Sequence, residues 1–320
     1  MSYKPILIVP GEPNSIFFEI FFKTLKLKKI NSPLILIASK KIIEAHLIKL
    51  KFNYKIRLVY LNNLNAKLID NKKINLIDVN HNYNYKISKI SNKSNIYIHK
   101  CFSIAFDLLK KKYTNKFING PVSKKFFLKK KYLGITEFIA KHFNIKNYAM
   151  LIYNKNISVC PITTHLPLKY VAKNIKKETI IKKIEIIDLF YKDYLKKKPK
   201  FALTGLNPHC ESISSFNEDD KIILPSIKIL KNKGINVSGP FSADTLFLKN
   251  NRSNYDIIVG MYHDQVLTPI KTLVEFDAIN VTLGLPFLRI SPDHGPNEKM
   301  VGKNLSDPLS LIKALKFLDN

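Results

Sequence analysis

The sequence is poor in cysteine, glycine, arginine and tryptophan, and these shortages narrow the possibilities. Its 320 residues include 3 cysteines, 10 glycines and no tryptophan. The cysteines are far apart, which argues against a disulfide framework and favours a reducing, cytoplasmic setting. No apolar run reaches the roughly 18 residues that a membrane-spanning helix needs, and the short apolar N-terminus does not fit a signal peptide. We therefore expect a globular protein without a membrane partner.

Negative charge is also scarce: 53 basic residues face 24 acidic ones, for a net charge of +29. Such an excess of positive charge suggests nucleic acid as a binding partner. However, only Arg57, Arg252 and Arg289 are arginines, whereas nucleic-acid sites usually combine arginine with exposed aromatic residues. Lysine-rich segments are more typical of solvated helix faces. We therefore do not expect nucleic-acid binding to be the main role, but a basic binding protein without turnover stays open as an alternative.

Short β-branched runs alternate with longer helical patterns, which favours an α/β fold with a largely parallel sheet. Strands are predicted at 4–9, 33–38, 55–61, 116–118, 148–153, 157–161, 201–204, 237–239, 257–260 and 279–283. Helices are predicted at 14–27, 40–50, within 91–112, and at 168–195, 219–233 and 309–318. Residues 62–95 give no chemical signal and are predicted to be a surface excursion with a strand or two.

Three of the eight histidines share one context, because His165, His209 and His263 each follow a predicted strand. Ligand sites of open α/β sheets gather at the carboxyl ends of strands. Three imidazoles there could bind one divalent metal ion and leave coordination positions open. Their separations prove nothing alone, and a structural role for each histidine stays open.

Charged residues accompany these histidines. Asp264 follows His263 directly, and Asp244 could either support a metal site or cap a helix. Arg289 suggests bidentate binding of a phosphate or carboxylate, with a structural ion pair as the alternative. No Walker loop, G-x-G-x-x-G fingerprint or G-x-S-x-G elbow is present.

Together these segments resemble the 4-hydroxythreonine-4-phosphate dehydrogenase family of pyridoxal phosphate (vitamin B6) biosynthesis. The resemblance rests on segments in family order at 10–13, 119–124, 134–138, 164–168, 205–209, 243–247, 262–265, 280–289 and 293–295. They extend from near the N-terminus to within 30 residues of the C-terminus, and several are long enough to be jointly specific.

The resemblance implies an isocitrate/isopropylmalate dehydrogenase-like α/β fold with two α/β/α subdomains and an active-site cleft between them. Approximate boundaries are 1–125 with 290–320 for an outer subdomain, and 126–289 for a central subdomain with the metal site and dimer interface. It also implies a homodimer whose active sites are shared between subunits.

Site residues follow from the same resemblance. The metal ligands would be His165, His209 and His263, with Zn, Mg, Co or Mn as the ion. Substrate contacts would be Thr136, Lys271, Asn280 and Arg289, with Asp244 and Asp264 supporting the site. NAD or NADP would lie near Asp293, His294 and Gly295. Asp264 and Lys271 are both candidates for the general base.

The implied reaction is oxidation of 4-phosphohydroxy-L-threonine followed by decarboxylation to 3-amino-2-oxopropyl phosphate. The sequence also departs from the family pattern. Ile135 occupies the place of a usual substrate-contacting histidine, and the glycine-rich stretch after His209 is replaced by 210–214. A related substrate, such as threonate or erythronate 4-phosphate, is therefore the closest alternative.

Overall fold

The computed structural model describes residues 3–26, 30–64, 69–81, 87, 89–129, 131–212, 216–292 and 294–319. The strands are β1 Ile6–Val9, β2 Leu34–Ala38, β3 Ile56–Leu58, β4 Ile74–Asp78, β5 Lys116–Asn119, β6 Ala149–Tyr153, β7 Ser158–Thr163, β8 Phe201–Thr204, β9 Val237–Phe241, β10 Ile257–Tyr262, β11 Ile279–Leu283 and β12 Leu288–Pro292. The helices are α1 Phe17–Leu25, α2 Lys40–Leu50, α3 Asn95–Lys110, α4 Ile135–His142, α5 Val171–Asn174, α6 Lys177–Asp193, α7 Leu224–Asn232, α8 Ala243–Leu246, α9 Lys249–Arg252, α10 His263–Val274 and α11 Leu309–Leu318.

The chain forms two compact units, Met1–Phe138 with Pro286–Asn320 (unit 1), and Ile139–Leu285 (unit 2). The boundaries proposed from the sequence, near 125 and 290, stay a prediction about subdomains. The chain crosses between the units after Phe138 and after Leu285.

The strands of unit 1 follow the order β3-β4-β2-β1-β5-β12, and all of their pairings are parallel. β1 and β2 are completely buried apolar runs, as expected for strands covered on both faces by helices. Helix α3 packs on both of them. This arrangement confirms the predicted α/β class with a largely parallel sheet.

The strands of unit 2 follow the order β11-β6-β7-β10-β8-β9. β10 lies parallel to both β7 and β8, whereas β6 runs antiparallel to β7 and β11. The predicted strand pair around 154–156 is confirmed, because Ile152 pairs with Val159 across that turn. The parallel β7, β10 and β8 therefore present their carboxyl ends along one edge.

The single long helix predicted at 168–195 is wrong. A short 3-10 turn is followed by α5, which ends before Ile175, and α6 starts only at Lys177. Lys176 is extended, so the helix is interrupted there. Val171 and Ile175 are both buried, and the bend in the chain allows both side chains to reach the core.

Several elements that contain predicted site residues were missed, among them α10 and β12. α10 begins at His263 itself although Pro269 lies within it, and β12 contains Arg289. Proline disfavours the interior of a helix, so the sequence of 263–274 did not predict one. Within the described ranges, no helix combines the length and apolarity that crossing a bilayer requires.

Candidate active site

The three histidines follow neighbouring strands of unit 2, as predicted. His165 lies two residues beyond β7, His209 follows β8, and His263 directly follows β10. Because β10 pairs in parallel with β7 and with β8, these three strands end along the same edge. The fold therefore places all three imidazoles on the side of the sheet where α/β proteins bind ligands.

His165 and His263 lie side by side. Their ring centroids are 5.8 Å apart and their planes are inclined by 39°. Two imidazoles at this spacing can both direct a nitrogen to one ion, for which metal–nitrogen distances are about 2.0–2.1 Å. Thr163 Oγ1 donates a 2.8 Å hydrogen bond to Met261 O, which joins the strands just before both histidines.

Asp264 fixes the orientation of the His263 ring. Its Oδ1 lies 2.6 Å from His263 Nδ1. Because a carboxylate accepts, Nδ1 carries the proton and donates, which leaves the Nε2 lone pair for another partner. Hydrogen bonding of this kind is what orients histidine ligands in metal sites. The Asp264 side chain is otherwise exposed.

His209 is exposed and lies in a short turn, Pro208–Cys210. It lines a cavity of about 430 Å³ together with Cys210, Phe241 and Tyr255. Among the described residues, no group of three His, Cys, Asp or Glu side chains is close enough to hold a metal ion. One chain therefore brings together His165 and His263, while His209 does not complete a set of three with them.

The remaining predicted residues of unit 2 have different surroundings. Asp244 is exposed in the first turn of α8, and Ser242 occupies the N-cap position, so the N-cap alternative for Asp244 is wrong. Lys271 is half-buried, two turns along α10 from His263. Asn280 lies in β11, and its buried Oδ1 has no hydrogen-bond partner among the described residues. A buried acceptor without a donor is costly, so Asn280 is suited to receive an N–H or O–H group from a ligand.

Arg289 and Thr136, two of the predicted substrate contacts, are hydrogen-bonded to each other within unit 1. Arg289 Nη1 donates to Thr136 Oγ1 at 3.1 Å, and Arg289 Nε donates to Asn119 Oδ1 at 2.7 Å. Arg289 is completely buried. Burial lowers the pKa of its guanidinium to about 10, opposed by the nearby carboxylate of Glu137. The residue remains cationic, with its charge held inside the protein.

A carboxyl group in the first predicted motif is also buried. Glu12 Oε1 accepts a 3.1 Å hydrogen bond from Ser123 N, and Glu12 Oε2 has no partner in the described part of the chain. Burial raises the pKa of Glu12 to about 7; the Ser123 hydrogen bond opposes this effect and Glu298 adds to it.

Of the predicted cofactor loop, Asp293 lies outside the described residues. His294 is half-buried, with Nδ1 2.9 Å from Gly295 O. Gly295 is exposed, and a Cβ at that position would meet no atom within 4 Å. The loop therefore has room beside its backbone.

Comparison with known protein families shows to which family the chain belongs. Residues 29–318 match the family described as pyridoxal phosphate biosynthetic protein PdxA. The chain belongs to the PdxA family. A relative from Sulfurihydrogenibium sp. (strain YO3AOP1), named 4-hydroxythreonine-4-phosphate dehydrogenase, is 38% identical over 98% of this chain and 96% of its own length. A D-threonate 4-phosphate dehydrogenase from Pectobacterium atrosepticum is 35% identical over 58% of this chain and 57% of its own length.

Solved structures agree with the PdxA assignment. The crystal structure of 4-hydroxythreonine-4-phosphate dehydrogenase from Klebsiella pneumoniae matches with a TM-score of 0.84 and 25% identity, covering 99% of this chain and 97% of that one. A β-decarboxylating dehydrogenase from Thermococcus kodakarensis shares the fold alone, with a TM-score of 0.52 and 11% identity over 98% and 81% of the two chains. The predicted isocitrate/isopropylmalate dehydrogenase-like fold class is thus confirmed.

Two residues that matter to this site received no role from the sequence. Asp219 and Gln265 form hydrogen bonds with the backbone of Leu206 and Gly205, which leads into the turn of His209. Gln265 is the only glutamine in the chain. That rarity, next to His263-Asp264, was the one local signal available for it.

Proposed function

We propose that this chain oxidises and decarboxylates 4-phosphohydroxy-L-threonine to 3-amino-2-oxopropyl phosphate, with NAD or NADP as hydride acceptor, in pyridoxal phosphate biosynthesis. Membership of the PdxA family supports the reaction. The observation that carries the proposal is the His165–His263 pair at the carboxyl ends of β7 and β10, with Asp264 on His263 Nδ1.

A divalent metal ion is part of the proposal, held by His165, His209 and His263. The donor set fits such an ion, because His165 and His263 are adjacent and neutral imidazole suits Zn and Co. When bound, the ion would polarise the substrate hydroxyl and stabilise negative charge that develops on oxygen.

The protein's own residues have separate tasks in this proposal. Lys271 or Asp264 would take the proton of the substrate hydroxyl, and a bound nicotinamide would serve as acceptor for the hydride from the carbon that carries that hydroxyl. Asn280 accepts a hydrogen bond from the substrate through its buried Oδ1. The positive charge of Arg289, next to Thr136, favours an anionic group of the substrate nearby.

We further propose that the active enzyme is a homodimer with shared active sites. Support comes from His209, which lies apart from the two adjacent histidines among the described residues of one chain. A second copy could provide the third imidazole.

The three free thiols fit the proposed cytoplasmic location, since oxidising compartments favour disulfides.

The test is reduction of NAD⁺ and NADP⁺, followed by absorbance, with 4-phosphohydroxy-L-threonine and metal-replete protein. We expect turnover that is lost on adding a chelator and in His209→Ala. His142→Ala is the matched control, because His142 is an exposed histidine at the end of α4. Absence of turnover in metal-replete wild type would contradict the proposed substrate.

A 4-phosphorylated hydroxy acid is the second candidate substrate. Ile135 keeps this candidate open, since this apolar residue stands directly before Thr136, where the family resemblance leads one to expect a histidine that contacts the substrate. The D-threonate 4-phosphate relative points the same way. The same assay with threonate and erythronate 4-phosphates separates the candidates by their kcat/KM values.

A further inference from the structure

The turn that contains His209 has an unfavourable backbone. His209 and Cys210 have φ angles of 57° and 61°, so two successive non-glycine residues adopt the left-handed conformation. Each such residue costs about 1–2 kcal/mol relative to right-handed backbone. Strained conformations of this kind persist only when the surrounding structure enforces them. Something outside the turn must therefore hold it.

The buried carboxylate of Asp219 is the first such group. Its Oδ1 accepts a 2.7 Å hydrogen bond from Leu206 N, and its Oδ2 accepts from Asn207 N at 3.2 Å and Asn207 Nδ2 at 2.9 Å. Asp219 is completely buried. Hydrogen bonds to a charged acceptor are about twice as strong as neutral ones. One side chain thus fixes both backbone N–H groups that lead into the turn.

Gln265 is the second group, and it reaches the turn from α10. Its Nε2 donates to Gly205 O at 2.8 Å, while its Oε1 accepts from Thr204 Oγ1 at 2.8 Å and Met261 N at 2.7 Å. The amide therefore joins the end of β8 to the end of β10. It lies two residues after His263, so it relates the His209 turn to the helix that begins with His263.

Close packing around Gly205 restricts the backbone that leads into the turn of His209. A Cβ on Gly205 would lie 2.6 Å from Asp219 Oδ1 and 2.7 Å from Cys210 Sγ. Neither Asp219 nor Gln265 lines the cavity beside His209. Both act on the backbone around the turn and leave the His209 ring exposed.

We infer that Asp219 and Gln265 are positioning residues that hold the turn of His209 in place, and so determine how well the proposed site binds a divalent metal ion. The part that concerns metal rests on the proposed function, in which His209 is a ligand. The part that concerns the turn rests on the hydrogen bonds alone. Two readouts on the same full-length proteins separate them.

The first readout is amide hydrogen exchange of metal-free protein, analysed over 205–210. In Asp219→Asn, one of the two acceptor oxygens becomes an N–H₂ group that cannot accept, so at least one of the Leu206 and Asn207 amides loses its acceptor and its protection should fall by about tenfold or more. Asp220→Asn is the control, because Asp220 is the exposed neighbour of Asp219. Equal protection in the two variants would overturn the inference.

The second readout is the affinity for Co²⁺ alone, measured by calorimetry. Gln265→Met keeps the length of the side chain and removes its three hydrogen bonds. We expect both Gln265→Met and Asp219→Asn to weaken Co²⁺ binding by about tenfold or more, as losses of outer partners do. Thr272→Ala, an exposed change on α10, should bind like wild type.

A purely structural role would lower the melting temperature without changing the affinity of the folded protein for Co²⁺. Wild-type affinity in both variants would therefore overturn the inference. If wild type itself binds no Co²⁺, the metal part of the proposed function fails and takes the metal part of the inference with it, whereas the exchange result still decides whether these side chains hold the turn.

Discussion

Arg289 and Asn119 are 170 residues apart in sequence, yet Arg289 Nε donates a 2.7 Å hydrogen bond to Asn119 Oδ1 inside unit 1. β12 and β5 are parallel neighbours, with Arg289 opposite Phe117, and this register brings the two side chains together. The guanidinium thus has fixed partners before any ligand arrives. A substitution of Arg289 would therefore disturb buried hydrogen bonds, and the stability of the protein should respond to it.

Replacing Arg289 by lysine should destabilise the protein by about 2–3 kcal/mol, because an ammonium group lacks the planar fork and leaves buried partners unsatisfied. Urea unfolding followed by circular dichroism measures the change. Arg57→Lys is the control, since Arg57 forms a partly exposed ion pair with Asp70 and should lose less than about 1 kcal/mol. Similar losses in the two variants would contradict a special role for the buried guanidinium.

Glu12 should make stability depend on pH. Its pKa is raised from 4.5 to about 7, so the folded protein binds the proton more tightly than the unfolded chain does. The stability that this group contributes is complete below pH 4.5 and is lost as pH rises through about 7. Glu12→Gln mimics the protonated acid, and we expect it to gain up to about 3 kcal/mol over wild type across that window.

Thermal unfolding of both proteins at several pH values between 4.5 and 8 tests this expectation. Glu44→Gln is the control, because Glu44 is an exposed carboxylate on α2. Parallel stability curves for wild type and Glu12→Gln would show that Glu12 titrates as an ordinary carboxyl group.

Gly120 should not tolerate alanine. A Cβ there would lie 2.1 Å from Pro10 O and 2.5 Å from Phe17 Cδ2, and backbone atoms cannot easily move away. We expect Gly120→Ala to lose about 3 kcal/mol. Gly234→Ala is the comparison: its φ is +75° but no atom lies within 4 Å of the added group, so only about 1 kcal/mol is expected. Equal melting temperatures would refute the steric argument.

Asp264 should affect metal affinity through His263. Asp264→Asn removes the charge of the acceptor and weakens the hydrogen bond that orients the His263 ring. We expect Co²⁺ affinity to fall by about 10–100-fold. His263→Ala should abolish the same binding. Asp193→Asn changes an exposed carboxylate at the end of α6 and should have no effect. Unaltered affinity in Asp264→Asn would remove Asp264 from the proposed site.

Much of the fold could be predicted because its signals are local. The runs at 201–204 and 279–283 form strands with the predicted bounds, and 309–318 forms a helix with the predicted bounds. Gly234, predicted to end a helix, follows α7 with φ +75°. The apolar periodicity at 168–195 predicted one continuous helix, which is wrong. The interruption before Lys177 depends on how buried side chains pack in the core, and periodicity along the chain does not record that packing.

The sequence by itself determined the α/β class, the family and the position of each histidine after a strand, because these depend on local patterns and on motifs along the chain. Only the tertiary structure decided which side chains meet. The parallel pairing of β7 with β10 places His165 beside His263, the pairing of β5 with β12 buries Arg289 near Asn119, and the packing around β8 places Asp219 against the turn of His209. Contacts between residues far apart in sequence depend on register and packing across the whole core, which no local pattern records.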